Sequence, residues 1–139
     1  IIIYAPLDFS WIVKKFVNII KPKIYISAET EIWPNLIVGA RRLGARTAIV
    51  NGRLSVRSIK LYLRIRSLMQ YTLSHIDAFS MISQDDALRM KSLGAPPERL
   101  TINGNELFLG LYLMALSSKL TAACSIRVAS IKAVALPDI

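Results

Sequence analysis

Two carboxylates, Glu29 and Glu31, stand where the apolar run KIYIS ends and Trp33-Pro34 begins. A carboxylate at a strand end can hold a substrate hydroxyl or offset positive charge in a transition state. In extended chain, residues two apart point the same way. If the backbone turns there, one acid faces a crevice and the other lies at the start of the next helix, where the dipole favours it. Glu29, nearer the strand, is the stronger functional candidate; Glu31 reads at least equally well as a helix-end acid. Further on, NGRLSVRS places Arg53, Ser55 and Arg57 at alternate positions. A serine cap flanked by arginines is a workable anion site. The same arginines equally suit ion pairs to Glu29 or Glu31 that brace the loop. Trp33 reads as a packing residue rather than a sugar platform.

These residues need a scaffold, and the apolar pattern supplies one. Short apolar runs predict strands over 1–4, 23–28, 45–51, 77–83 and 99–104. Helices are expected over 9–20, capped by Asp8, over 35–43, over 56–74, capped by Ser55, and over 84–93. Pro22 ends the first of these, and Gly44 and Gly94 end two others. The order β-α-β-α-β-α-β-α-β predicts an α/β fold, a Rossmann-like parallel sheet with flanking helices and right-handed crossovers. Strands without clean polar alternation fit a sheet covered on both faces. Ligands of such sheets sit beyond the carboxyl ends of the strands, where Glu29 and Glu31 stand.

The composition narrows the function. The 139 residues are 53% hydrophobic, with a net charge of +9, which excludes a mainly disordered chain. From Arg41 to Arg66 the basic residues Arg41, Arg42, Arg46, Arg53, Arg57, Lys60, Arg64 and Arg66 occur without one acid. Such a block suits an anionic partner, or else a solvated helix face. It lacks interleaved aromatics for base stacking beyond Tyr62 and Tyr71, so no nucleic acid is expected. Cys124 is the sole cysteine and His75 the sole histidine, so neither an intramolecular disulfide nor a zinc site of the usual ligands is expected. No G-x-G-x-x-G appears, and no cofactor is expected. The start lacks a signal peptide and reads as the interior of a longer chain. After Asn105 the character changes. The apolar run 107–116 falls short of the roughly 20 residues a bilayer span needs. The expected division is a domain over 1–105 and a divergent apolar tail over 106–139.

Several segments together resemble one family. ETEIWPNLI resembles the ETE…WPN segment of the 3-deoxy-D-manno-octulosonate (Kdo) transferases, bacterial enzymes that add Kdo to lipid A precursors. YAPLDF (4–9), NGRLSVRS (51–58) and SQDDALRMKSLGAPPERLTINGN (83–105) resemble further family segments, in the family's order and at compatible spacing. The resemblance implies a partial N-terminal acceptor domain of a GT-B glycosyltransferase. It also implies metal-independent, inverting transfer from CMP-Kdo, which is bound by a second domain absent here.

By this resemblance, the acid at Glu29 supports the transition state and Glu31 is a weaker candidate. The general base lies in an S-V-G-E segment upstream, and a lysine follows in G-N/S-L-K-F-D. This sequence reads GNELFLG instead, with Glu106 and Leu107 where the family continues L-K-F-D. A shifted or truncated reading frame would produce such a tail, and the chain by itself is expected to be inactive. The implied partners are a lipid A precursor, CMP-Kdo and the anionic membrane surface, at the cytoplasmic face of the bacterial inner membrane. Arg53, Ser55 and Arg57 become candidates for the acceptor's phosphates. The alternative is a non-catalytic basic α/β module that binds anionic lipid or nucleic acid.

Overall fold

The computed structural model describes residues 5–104. The expected strand over 1–4 and the tail over 106–139 lie outside the described residues.

The described chain runs α1 (Ser10–Ile20), β1 (Ile24–Ala28), α2 (Pro34–Arg42), β2 (Arg46–Gly52), α3 (Val56–Arg64), α4 (Arg66–Ser74), β3 (Ala78–Met81), α5 (Gln84–Ser92), a 3-10 turn (Pro97–Arg99) and β4 (Leu100–Ile102). The strands form one parallel sheet in the order β1-β2-β3-β4. This is the α/β alternation the sequence predicts.

Each boundary has a local cause. Pro34 occupies the first turn of α2, where its missing N–H costs nothing. Gly44 follows that helix at φ +85°, a left-handed conformation free of Cβ penalty in glycine. The hydroxyl of Ser55 accepts the Ser58 N–H at 3.0 Å and caps α3 as expected. Ser83 caps α5 in the same way, accepting from the Asp86 N–H.

Two expectations are corrected. Asp8 does not cap α1: the N-cap is Phe9, without a side-chain bond, and Asp8 is engaged elsewhere. The single helix expected over 56–74 is two helices, broken at Ile65 with φ −114° and ψ 35°. Residues of α3 are packed only partly: Ile59 and Tyr62, three apart, lean on the core, and no α3 residue is buried.

The core lies on one face of the sheet. Tyr25, Ile49, Phe79 and Met81 meet Val13 and Val17 of α1, Leu36, Ile37 and Ala40 of α2, Leu73 of α4, and Met90 of α5. The burial of these apolar groups is the dominant stabilising term. Among the described residues the opposite face is less covered. Ile24 remains 38% exposed there, and Ile26, Ala48 and Ala78 are half-buried. Among the described residues the expected cover is complete on one face and partial on the other, where Val50 and Ser80 are buried. Right-handed crossovers between strands added in sequence order put their helices on the same side.

Candidate functional site

The site is the carboxyl edge of the sheet, where β1 and β2 end side by side. Ala28 pairs with Val50, and the Glu29 N–H donates to the Val50 carbonyl at 2.8 Å. Just beyond, both chains turn through the left-handed region: Glu29 has φ +59° and Asn51 φ +55°. For non-glycine residues this conformation costs roughly 1–2 kcal/mol each. At Asn51 the β2–β3 register shifts between Ile49 and Gly52, and such a bulge re-aims a strand end. Gly52 then runs flush against β3. A Cβ there would sit 2.7 Å from Met81 Sδ and 3.3 Å from the Ser80 carbonyl oxygen.

Three ties hold the rim. The Thr30 hydroxyl both donates to the Arg53 carbonyl and accepts the Arg53 N–H, the latter at 3.0 Å. This pairing joins the Glu29 loop to the NGRLS loop. On the far side, Asp86 of α5 is buried and accepts the Leu54 N–H at 2.7 Å. Arg89 donates to the Leu54 carbonyl at 3.0 Å and pairs with Asp86 at 3.4 Å. On the near side, Asp8 reaches α2. Its carboxylate accepts the Asn35 N–H at 3.0 Å and the Leu36 N–H at 2.9 Å, and its carbonyl accepts from Asn35 Nδ2 at 2.6 Å. The segments YAPLDF, ETEIWPN, NGRLS and SQDDALR therefore converge on one edge.

The structure treats the expected site residues differently. Glu29 is exposed at the strand end, and its backbone, not its carboxylate, anchors it. Glu31 is exposed too, but its carboxylate accepts the Trp33 indole N–H at 3.3 Å, and its carbonyl accepts from the Ser27 hydroxyl at 2.6 Å. Glu31 does not cap α2; Asp8 does, because a carboxylate from the preceding segment can reach two free amides of the helix at once. Trp33 packs partly against the core, as expected. Arg53 and Arg57 are exposed, and among the described residues neither forms an ion pair with Glu29 or Glu31. The bracing role is met by Thr30 instead. Ser55 spends its hydroxyl on the α3 cap and on a 2.8 Å contact with Ser58 Oγ.

The basic block divides in two. Arg41 and Arg46 converge on Asp77 at 3.1 and 3.6 Å, and Asp77 in turn accepts the Thr47 N–H. These arginines fasten the start of β2 and β3. The other six members are exposed, and three of them, Arg57, Lys60 and Arg64, three and four apart on α3, share its exposed ridge.

One residue escaped the sequence reading. Asn51 Oδ1 is buried, and among the described residues it has no hydrogen-bond partner. A buried orphan acceptor is costly, and natural structures keep few of them. The dipeptide Asn51-Gly52 was the available signal, since asparagine tolerates the left-handed region and commonly marks a turn. Beneath the rim, burial pushes the Tyr25 phenol up to about 12, against a smaller opposing effect of the Ser27 hydroxyl. Among the described residues there is no group of three or more His, Cys, Asp and Glu able to hold a metal ion, and no helix long and apolar enough to cross a membrane.

Residues 1–108 match the family 3-Deoxy-D-manno-octulosonic-acid transferase (kdotransferase). The chain is 36% identical over 100 residues to a 3-deoxy-D-manno-octulosonic acid transferase of Chlamydia pneumoniae, covering 72% of this chain and 23% of that protein. A transferase of the same description from Haemophilus influenzae is 37% identical over 102 residues, covering 73% and 24%. A bifunctional glycosyltransferase/methyltransferase of Fusobacterium nucleatum is 38% identical over 104 residues, covering 75% of this chain and 16% of its own length. The chain thus spans a quarter or less of these curated relatives.

Proposed function

We propose that this chain, which belongs to the 3-deoxy-D-manno-octulosonic-acid transferase (kdotransferase) family, forms the acceptor-side layer of an enzyme that moves Kdo from CMP-Kdo to a lipid A precursor. The observation that carries this reading is the exposed Glu29, held in a left-handed turn at the carboxyl edge of a parallel sheet and tied to NGRLS through Thr30 and Arg53. Ligands of open α/β sheets sit at such an edge. Strain there, opposed by flanking hydrogen bonds, is a mark of functional sites.

The chemistry follows from the charges. As the bond from the sugar to the CMP leaving group breaks, positive charge builds on the transferred sugar. A carboxylate beside that charge stabilises the transition state more than the ground state. Glu29 has this role in the proposal. Glu31, tied to Trp33, shapes the loop. Arg53 and Arg57 stand beside the N-terminus of α3, where a phosphate of the acceptor is favoured. The ridge of Arg57, Lys60 and Arg64 meets the anionic cytoplasmic leaflet of the bacterial inner membrane, where each nearby cation contributes about 1 kcal/mol. In the proposal the CMP-Kdo pocket and the general base come from parts of the enzyme other than the described residues.

A chimera tests the reading. Residues 5–104 replace the matching segment of the Haemophilus influenzae transferase, and Kdo transfer from CMP-Kdo to a lipid A precursor is measured. Transfer above a blank with the segment deleted is expected. A folded chimera without transfer refutes the proposal.

A further inference from the structure

We propose that Thr30 is a positioning residue for the transfer reaction: its hydroxyl, joined to the main chain of Arg53, holds Glu29 in the left-handed turn that presents the carboxylate at the sheet edge. The inference deepens the proposed function and rests on the role given there to Glu29.

The β1–β2 ladder ends at the pair Ala28 and Val50. Beyond it two links span the strands, one on each side of the Glu29 Cα. On one side the Glu29 N–H donates to the Val50 carbonyl at 2.8 Å. On the other, the Thr30 hydroxyl accepts the Arg53 N–H at 3.0 Å and donates to the Arg53 carbonyl. A hydroxyl has one proton to give and lone pairs to accept with, so one side chain takes up both polar groups of a single main-chain residue. It replaces a rung of the ladder where Glu29 and Asn51 turn left-handed.

Strain makes this link consequential. A non-glycine residue at φ +59° stays there only where its surroundings over-determine it. Among the described residues the Glu29 carboxylate enters no salt bridge, so the main chain decides where it goes. Without the Thr30 link only the Val50 bond remains, and the turn is free to relax to negative φ and carry the carboxylate with it. The β-branch of threonine also restricts χ1, which keeps the hydroxyl in place. Arg53 is exposed and Thr30 half-buried, so water satisfies the Arg53 peptide groups once the hydroxyl is gone, and the chain is expected to stay folded.

Two measurements test this. In the full chain, the HN–Hα nuclear Overhauser effect within Glu29 is strong only at positive φ. It is expected to persist in Thr30→Ser and to fade in Thr30→Val, with the circular dichroism spectrum unchanged. In the Haemophilus influenzae chimera, Thr30→Val is expected to lower kcat by about 10- to 100-fold, as a small misplacement at a reacting centre does, with KM for the acceptor within about twofold. Thr30→Ser is expected to keep most of the rate. In a Glu29→Gln background, Thr30→Val is expected to add less than about twofold, because the two residues act as one unit.

A strong Overhauser effect in Thr30→Val overturns the proposal, as does an unaltered kcat in that variant or an equal loss in Thr30→Ser. A full further loss in the Glu29→Gln background shows that Thr30 acts apart from Glu29, and a Thr30→Val chain that does not fold shows a purely structural hydroxyl; either overturns it too. Failure of the proposed function looks different: the parent chimera transfers no Kdo, or Glu29→Gln keeps the parental kcat. That result removes the kinetic role of Thr30 along with that of Glu29, while the Overhauser effect still decides whether Thr30 holds the turn.

Discussion

Asp8 and Asn35 are joined through both main chain and side chain. The Asp8 carboxylate accepts the Asn35 N–H at 3.0 Å, and Asn35 Nδ2 returns to the Asp8 carbonyl at 2.6 Å. Since the same carboxylate also takes the Leu36 N–H at 2.9 Å, two segments distant in sequence act as one capping device. Asp8→Ala frees two amides at the start of α2. The expected loss is about 1–3 kcal/mol in urea denaturation, with a smaller loss for Asp8→Asn. A change within 0.5 kcal/mol, to order of magnitude, would show that the cap contributes nothing.

Asp86 supports the NGRLS loop from the opposite side. Asp86→Ala leaves the buried Leu54 N–H without its acceptor and Arg89 without its nearest carboxylate. The expected cost is about 2–4 kcal/mol. Hydrogen exchange of the Leu54 amide should quicken more than that of the β3 amides. Uniform quickening would indicate global destabilisation with no local clamp.

The left-handed turn at Glu29 gives a rank order. Glycine pays no Cβ penalty at φ +59°, whereas alanine does. Glu29→Gly is therefore expected to be more stable than Glu29→Ala by about 1 kcal/mol. The reverse order in thermal or denaturant unfolding would contradict the turn geometry.

Tyr25 sets an alkaline limit. Its phenol, ordinarily near 10, is pushed up to about 12 by burial in the folded chain. Between these values the unfolded chain releases the proton and the folded chain retains it, so stability falls as pH rises. The slope is about 1.4 kcal/mol per pH unit from this group. Below pH about 10 the group contributes no pH dependence. Tyr25→Phe is expected to flatten the stability profile between pH about 10 and 12, as measured by urea midpoints. An equally steep profile in the variant would assign the limit to other groups.

Much of this architecture was legible in the residues. Apolar strands separated by helical segments gave the parallel α/β order, and Pro34, Gly44 and Ser55 marked boundaries that the fold keeps. The capping of α2 was not legible, because Asp8 precedes one helix in sequence and caps another in space. Pattern reading sees only the first relationship. The break at Ile65 was hidden for a different reason: VRSIKLYLRIRSLMQ contains neither proline nor glycine to mark it. At the site, Glu29 and the NGRLS loop are recognisable, but for the tie between them the sequence offers only arginine–carboxylate pairs, as one of two equal readings of Arg53 and Arg57. Long-range charge is the obvious inference from a basic block, whereas the Thr30 hydroxyl makes the connection by short hydrogen bonds to backbone. The strain at Asn51 and its orphan acceptor depend on backbone angles and burial that no single sequence reports.

The most direct measurement compares Kdo transfer by the chimera carrying residues 5–104 with its Glu29→Gln variant at matched folded concentration. Glutamine preserves shape and removes the charge. A fall in kcat of about 100-fold or more, with little change in KM for the acceptor and an unchanged melting temperature, is the predicted result. An unaltered kcat in Glu29→Gln would contradict the role given to the carboxylate at the edge of the sheet.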